Sequence, residues 1–170
     1  PSDLERLSLV LGAQMLILAG QETDADRAEA KLKTIIANGE GLAVFRRWVA
    51  AQGGDPQIVD DPDLLPTAPV VVGVESPVRG YLSAWETEAL GLTSMRLGAG
   101  RAKKGEPIDY GVGLVIKKKV GDWVEAGEEI AKVYARSQAE ATTAVAEILT
   151  EVKLTTVPPP VSPLVIGYII

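Results

Sequence analysis

The sequence predicts an α+β chain in two parts, a short three-helix segment followed by a domain of intermixed strands and helices. Three observations predict it. Apolar residues recur at helical spacing three times between Leu4 and Ala51, each run closed by Gly or Asn. A stretch dense in proline and aspartate follows at residues 60–69, DDPDLLPTAP. Proline there blocks both ladder and helix hydrogen bonds, so this stretch reads as a linker. Beyond it the apolar period becomes two, in runs near residues 70–75, 112–116 and 130–135.

The first helix opens with Ser2 or Asp3 as cap and carries a stripe of Leu4, Leu7, Leu11, Met15 and Leu18. Val10 and Ile17 widen that stripe, so the helix needs neighbours on several sides. Gly20 ends it. Asp24 opens the second helix, with Ala28, Leu32, Ile35 and Ile36 on one face and Asn38-Gly39 closing it. The third runs from Glu40 to Ala51 with Leu42, Phe45, Trp48 and Val49 expected to face inward, and Gly53-Gly54-Asp55-Pro56 stops it. The expected division is therefore residues 1–59, the linker 60–69, and a second domain at 70–170.

In that second domain, Val70 to Glu75 is rich in β-formers, and Ser76-Pro77-Val78-Arg79-Gly80 turns the chain into a short strand at Tyr81-Leu82. Ser83-Ala84-Trp85-Glu86 has the spacing of a capping box, predicting a helix to Gly91 or Met95. A glycine-rich loop comes next. Val112, Leu114 and Ile116 then alternate as a strand, residues 130–135 form another, and Ser137 caps a helix through Ala141, Val145, Ile148 and Leu149. After the three prolines at 158–160, residues 164–170 read as a buried terminal strand.

Composition sets limits on the chemistry. The chain of 170 residues has no cysteine and no histidine. Disulfides, thiolate chemistry, the usual zinc ligands and a histidine base are all excluded. A net charge of −6 argues against nonspecific binding to nucleic acid or acidic membranes. The apolar segment from Leu7 to Ala19 is too short to span a bilayer, and a cytoplasmic location is the expectation.

Several clusters invite a functional reading. Leu97-Gly98-Ala99-Gly100-Arg101, followed by Lys103 and Lys104, could cradle a phosphate on backbone N–H groups. It has neither the P-loop nor the dinucleotide spacing, so a tight structural loop is the reading preferred. Lys117-Lys118-Lys119 reads as a solvated edge that resists strand pairing. Asp60, Asp61 and Asp63 lack EF-hand spacing. Glu125, Glu128 and Glu129 read as surface carboxylates around a turn, and Trp48, Trp85 and Trp123 as packing residues. Tight turns are expected at Gly121-Asp122 and Ala126-Gly127.

Some of these residues also carry a family resemblance. Gly80-Tyr81, Leu97 to Arg101, Ile108-Asp109, Val112-Gly113 and Lys119-Val120-Gly121-Asp122, followed by Val124 and Gly127, resemble the carboxy-terminal domain of the thymidine and pyrimidine-nucleoside phosphorylases. Asp3-Leu4, Met15, Ala19-Gly20, Phe45 and Ala51-Gln52-Gly53-Gly54-Asp55 resemble the same family, in the same order. The resemblance implies the end of a helical domain followed by an α/β-hammerhead related to barrel-sandwich hybrids. It implies a homodimeric pentosyltransferase of nucleoside salvage. Such an enzyme cleaves thymidine, deoxyuridine or uridine with inorganic phosphate, giving free base and (deoxy)ribose 1-phosphate. The family's phosphate loop, base-reading residues and potassium ligands belong to preceding sequence. No catalytic, substrate-binding, cofactor or metal residue is therefore carried over, and the chain alone is expected to be inactive, with an amino-terminal part as its partner. The alternative is a biotinyl or lipoyl-like carrier, since residues 74–82 and 119–135 resemble its two halves. The lysine such a carrier requires is missing after Ala135, where Arg136-Ser137-Gln138-Ala139 follows.

Overall fold

In the computed structural model, which describes residues 1–168, the chain forms two compact units. One comprises residues 1–64 with the tail beginning at Ser162, the other Leu65–Val161. The division falls inside the proline/aspartate stretch; one short 3-10 turn, Pro56–Val59, precedes that stretch and a second, Pro62–Leu64, lies within it. The architecture is α+β.

The first unit holds three helices, α1 (Ser2–Leu18), α2 (Ala25–Ala37) and α3 (Glu40–Ala51). Asp24 caps α2 as expected, its side chain accepting from the Arg27 N–H at 2.9 Å. The caps expected at Ser2 or Asp3 do not form: both lie within α1, whose N-cap is Pro1. The buried face of α1 also departs from the expected stripe. Leu9, Val10 and Ala13 are buried, whereas Leu4, Leu11, Met15 and Leu18 are exposed, Leu18 to 87%. The reason is close approach. A Cβ on Gly12 would lie 2.8 Å from Leu32 Cδ1, so α2 approaches α1 at Gly12 and leaves Leu4, Leu11 and Leu18 exposed. In α3 only Val49 is buried, and Leu42, Phe45 and Trp48 face solvent, correcting the expected inward face. Phe45 and Trp48 instead lie against each other with ring centroids 5.8 Å apart. Ile36 of α2 is likewise exposed.

The second unit is built on two three-stranded antiparallel sheets. The first has the order β1-β5-β3, where β1 is Val70–Glu75, β3 is Gly113–Ile116 and β5 is Glu129–Ala135. The second has the order β4-β2-β6, where β2 is Gly80–Trp85, β4 is Trp123–Val124 and β6 is Val152–Thr155. Strands β1 and β2 therefore enter different sheets although only a short turn separates them. Helix α4 (Thr87–Ser94) and helix α5 (Gln138–Glu151) pack together, and α5 covers β1 and β5. Val74, Ile130, Val133, Ala141 and Ile148 form the centre of this core. Alternation along β1 and β5 sends one side chain in two into that core, so burial of apolar surface sets the register.

Two expectations fail here. The capping box at Ser83-Ala84-Trp85-Glu86 is not a helix start, because pairing with β6 draws Ala84 and Trp85 into β2. Ser83 Oγ donates to the Lys153 carbonyl, and α4 begins one residue after Glu86. Residues 164–168 are not a strand, and Ile166 is 89% exposed; residues 169–170 lie outside the described residues. Ser137 does cap α5, accepting from the Glu140 N–H at 3.2 Å. Both glycine turns form as expected, with Gly121 at φ 100° and Gly127 at φ 81°.

Candidate functional site

The glycine-rich loop grows out of α4. After Ser94 the helix widens into a π turn, Met95–Ala99, which ends at Gly98 with φ 111°. A Cβ there would stand 3.6 Å from both the Arg136 guanidinium and the Asp109 side chain. Asp109 donates its backbone N–H to the Gly98 carbonyl at 3.0 Å, and its carboxylate accepts from the Gly111 N–H at 3.0 Å. Gly98, Asp109 and Arg136 thus meet at one shallow cleft, which Pro66, Pro107 and Tyr110 complete.

The two N–H groups just after the glycine run, those of Ala102 and Lys103, already have an occupant. Glu106 Oε2 accepts from Ala102 N–H and Lys103 N–H, both at 3.0 Å, and Arg101 Nε donates to the Glu106 carbonyl at 2.9 Å. The loop supplies its own anion, which favours the structural reading. Arg136, read in the sequence only as standing where a carrier would have its lysine, holds a carboxylate: its Nη2 donates to Glu140 Oε1 at 3.0 Å, four residues on, in α5. The signal that could have found it is the Arg-Ser-x-x-Glu pattern at the start of that helix.

A second cluster joins α4 to α5. Thr93 Oγ1 lies 2.8 Å from Glu147 Oε2 and 3.1 Å from Glu151 Oε1, and Arg96 Nη2 donates to both Thr93 Oγ1 and Glu147 Oε2. The hydrogen bond from Arg96 holds the Glu147 carboxyl below the usual carboxylate range. Thr93 and Glu151 are buried. This cluster fastens one helix to another, and its one hydroxyl, on Thr93, is buried between the two carboxylates.

The remaining candidates resolve into structural pairs. Lys117 pairs with Glu129, and Lys118 with Glu128 at 2.5 Å. In each case the lysine hydrogen bond pulls the carboxyl pKa down, and for Glu128 the Glu125 N–H adds to it. Two members of the expected solvated edge are therefore cross-strand partners of the turn carboxylates. Asp60 is bound by Arg46, and Asp61 accepts from the Asp63 N–H at 3.2 Å, a local turn rather than a cation cage. Trp85 is partly buried on the core and donates its indole N–H to the Lys118 carbonyl, as packing requires. Trp123 stacks edge-on with Tyr81 at 4.9 Å. The β4–β5 turn, Glu125-Ala126-Gly127-Glu128, carries no lysine, so it offers a carrier no attachment point. Among the described residues no helix is long and apolar enough to cross a membrane.

Comparison with known proteins adds a likeness to one family. Residues 81–155 match the family model for the pyrimidine nucleoside phosphorylase C-terminal domain. Over most of its length the chain is similar to the carboxy-terminal portion of pyrimidine-nucleoside phosphorylases. It is 43% identical over 138 residues to the pyrimidine-nucleoside phosphorylase of Bacillus subtilis, and 41% identical over the same length to that of Geobacillus stearothermophilus. For Staphylococcus epidermidis the figure is 42%. Each comparison covers 81% of this chain but 32% of the relative, so the chain spans about a third of the length of the phosphorylases it matches. The phosphorylase domain as matched begins at Tyr81 and ends at Thr155, and so takes in both candidate clusters, α4, the glycine loop and most of the two sheets.

Proposed function

We propose that this chain is the structural carboxy-terminal part of a cytoplasmic enzyme that carries out reversible phosphorolysis of pyrimidine nucleosides. Thymidine, deoxyuridine or uridine would react with inorganic phosphate to give the free base and a (deoxy)ribose 1-phosphate. The observation that carries the reading is the extent of the match, 138 residues at 43% identity to a phosphorylase about three times as long. Phosphorolysis requires bound phosphate and groups that stabilise charge as the glycosidic bond opens. Neither cluster of this chain is seen to supply them: Glu106 occupies the Ala102 and Lys103 N–H groups beside the glycine run, and Arg96 is engaged by Glu147. Phosphate, potassium and nucleoside therefore belong, in this reading, to an amino-terminal part that completes the enzyme, which acts as a homodimer. The exposed row Leu4, Leu11, Met15 and Leu18 supports that partnership, because a helix apolar on its outer face needs covering.

Reconstitution tests the proposal. The chain alone should release no thymine from thymidine and phosphate. Mixed with the amino-terminal two thirds of the Bacillus subtilis phosphorylase, it should restore release that depends on phosphate. A folded mixture without such activity, or activity in the chain alone, would count against the reading.

A further inference from the structure

The link between α2 and α3 holds the chain's one asparagine, Asn38, directly before Gly39. Asparagine before glycine is the pair most prone to close on itself. The glycine nitrogen attacks the side-chain carbonyl carbon, and a residue without Cβ leaves that approach unhindered. Asn38 is exposed and ends α2 at ψ −2°. Its own N–H donates to the Thr34 carbonyl at 2.9 Å, whereas the Gly39 N–H reaches the Ile36 carbonyl at 3.4 Å. The attacking nitrogen is thus the more loosely held of the two.

Glu40 keeps the ring from closing. Its N–H donates to Asn38 Oδ1 at 3.0 Å, and Asn38 Nδ2 donates to Glu40 Oε1 at 2.7 Å. Together these bonds fix the plane of the side-chain amide. Closure requires the Cα–C bond of Asn38 to turn until the Gly39 nitrogen eclipses Cβ. At ψ −2° that nitrogen eclipses the Asn38 backbone nitrogen instead, so the link must open before it can react. Gln52-Gly53 ends α3 in the same manner, with Gly53 at φ 81°, but the longer glutamine side chain has a larger and slower ring to close.

We infer that Asn38-Gly39 is a self-modification site, locked by Glu40 and released when the α2–α3 link opens. This inference stands apart from the phosphorylase reading. In the step itself, the bond from Gly39 N to Asn38 Cγ forms as the Cγ–Nδ2 bond breaks. The Gly39 nitrogen gives its proton to solvent, and the departing Nδ2 takes one from solvent and leaves as ammonia. Water then adds to either carbonyl of the succinimide, giving aspartate or isoaspartate. The product cannot restore the lock. Aspartate has no Nδ2 donor and sets a second carboxylate against Glu40 at the negative end of α2. Isoaspartate also carries the main chain through Cβ, lengthening the link.

The test holds the chain at physiological temperature and mildly alkaline pH, digests it with trypsin and follows conversion of peptide 34–46 by mass spectrometry. The same peptide free in solution is the reference. The unaltered chain is expected to convert about tenfold more slowly than the free peptide, the mark of a site that must open to react. Glu40→Ala removes the Oε1 acceptor and should convert roughly threefold faster than the unaltered chain, in line with one exposed hydrogen bond. Glu40→Gln keeps an oxygen there and should stay near the unaltered rate. Circular dichroism at the incubation temperature verifies that each variant is folded. Asn38→Asp, made directly, should lower the thermal midpoint. Equal rates in chain and free peptide overturn the lock. Glu40→Ala no faster than the unaltered chain, or Glu40→Gln as fast as Glu40→Ala, overturns the role given to the Glu40 hydrogen bond. A free peptide that does not convert overturns the site itself, and an unchanged midpoint in Asn38→Asp overturns the effect assigned to the product.

Discussion

Gly80 faces the backbone of Thr155 so closely that a Cβ on it would stand 2.8 Å from the Thr155 carbonyl oxygen. Gly80 is buried where β2 lies between β4 and β6, and backbone cannot yield as a flexible side chain would. Gly80→Ala should therefore lower stability by about 1–3 kcal/mol through overpacking. Thermal denaturation followed by circular dichroism would measure it, and an unchanged midpoint would show that β6 shifts freely.

Gly91 provides the opposite sign. It lies in the middle of α4, is exposed, and a Cβ there would meet nothing within 4 Å. Gly91→Ala should stabilise the chain by roughly 0.5–1 kcal/mol, by restricting the unfolded backbone. Gly127, equally open but at φ 81°, should lose about 1 kcal/mol on the same change. Urea titration of the two variants side by side checks the contrast, and the same sign in both would refute it.

The Arg96–Glu147 pair sets a pH dependence. The folded-state pKa of Glu147 lies below its unfolded value, so its contribution is complete above the unfolded carboxyl pKa and is lost as pH falls through the folded one. Glu147→Gln should lower the melting temperature at neutral pH and leave it close to the unaltered chain's in acid. An equal deficit at both pH values would assign the loss to packing around Thr93 instead.

Met15 is 70% exposed on the outer face of α1. Met15→Lys should change the stability of the isolated chain by no more than about 0.5 kcal/mol while reducing light scattering at high concentration. A large destabilisation would mean that the row is already covered within the chain.

How far the sequence could be read follows a physical pattern. The helices of α1 to α3 were legible because 3.6-residue periodicity and glycine or asparagine ends are local signals. Which face of α1 is buried was not, because the choice depends on Leu32 approaching Gly12 across a loop. Strands β1, β3 and β5 were legible from alternation, but β6 follows α5 directly, with no Gly or Pro to mark the change. The Ser83 capping signal lost to a non-local ladder, as local preferences do when a sheet offers hydrogen bonds on both sides. At the glycine loop, the residue types were visible in advance. The closing of Glu106 onto the Ala102 and Lys103 N–H groups was a matter of three-dimensional folding.

The order β1-β5-β3 has a consequence for synthesis. Val70 pairs with Ala135, so the Val-Val-Val-Gly-Val run emerges from the ribosome about sixty residues before its partner is complete. At translation rates of about 5–20 residues per second, that strand waits roughly 3–12 seconds with its backbone unpaired. Chains ending before β5 would leave it permanently without a ladder, an aggregation-prone segment whose only remedy is further elongation.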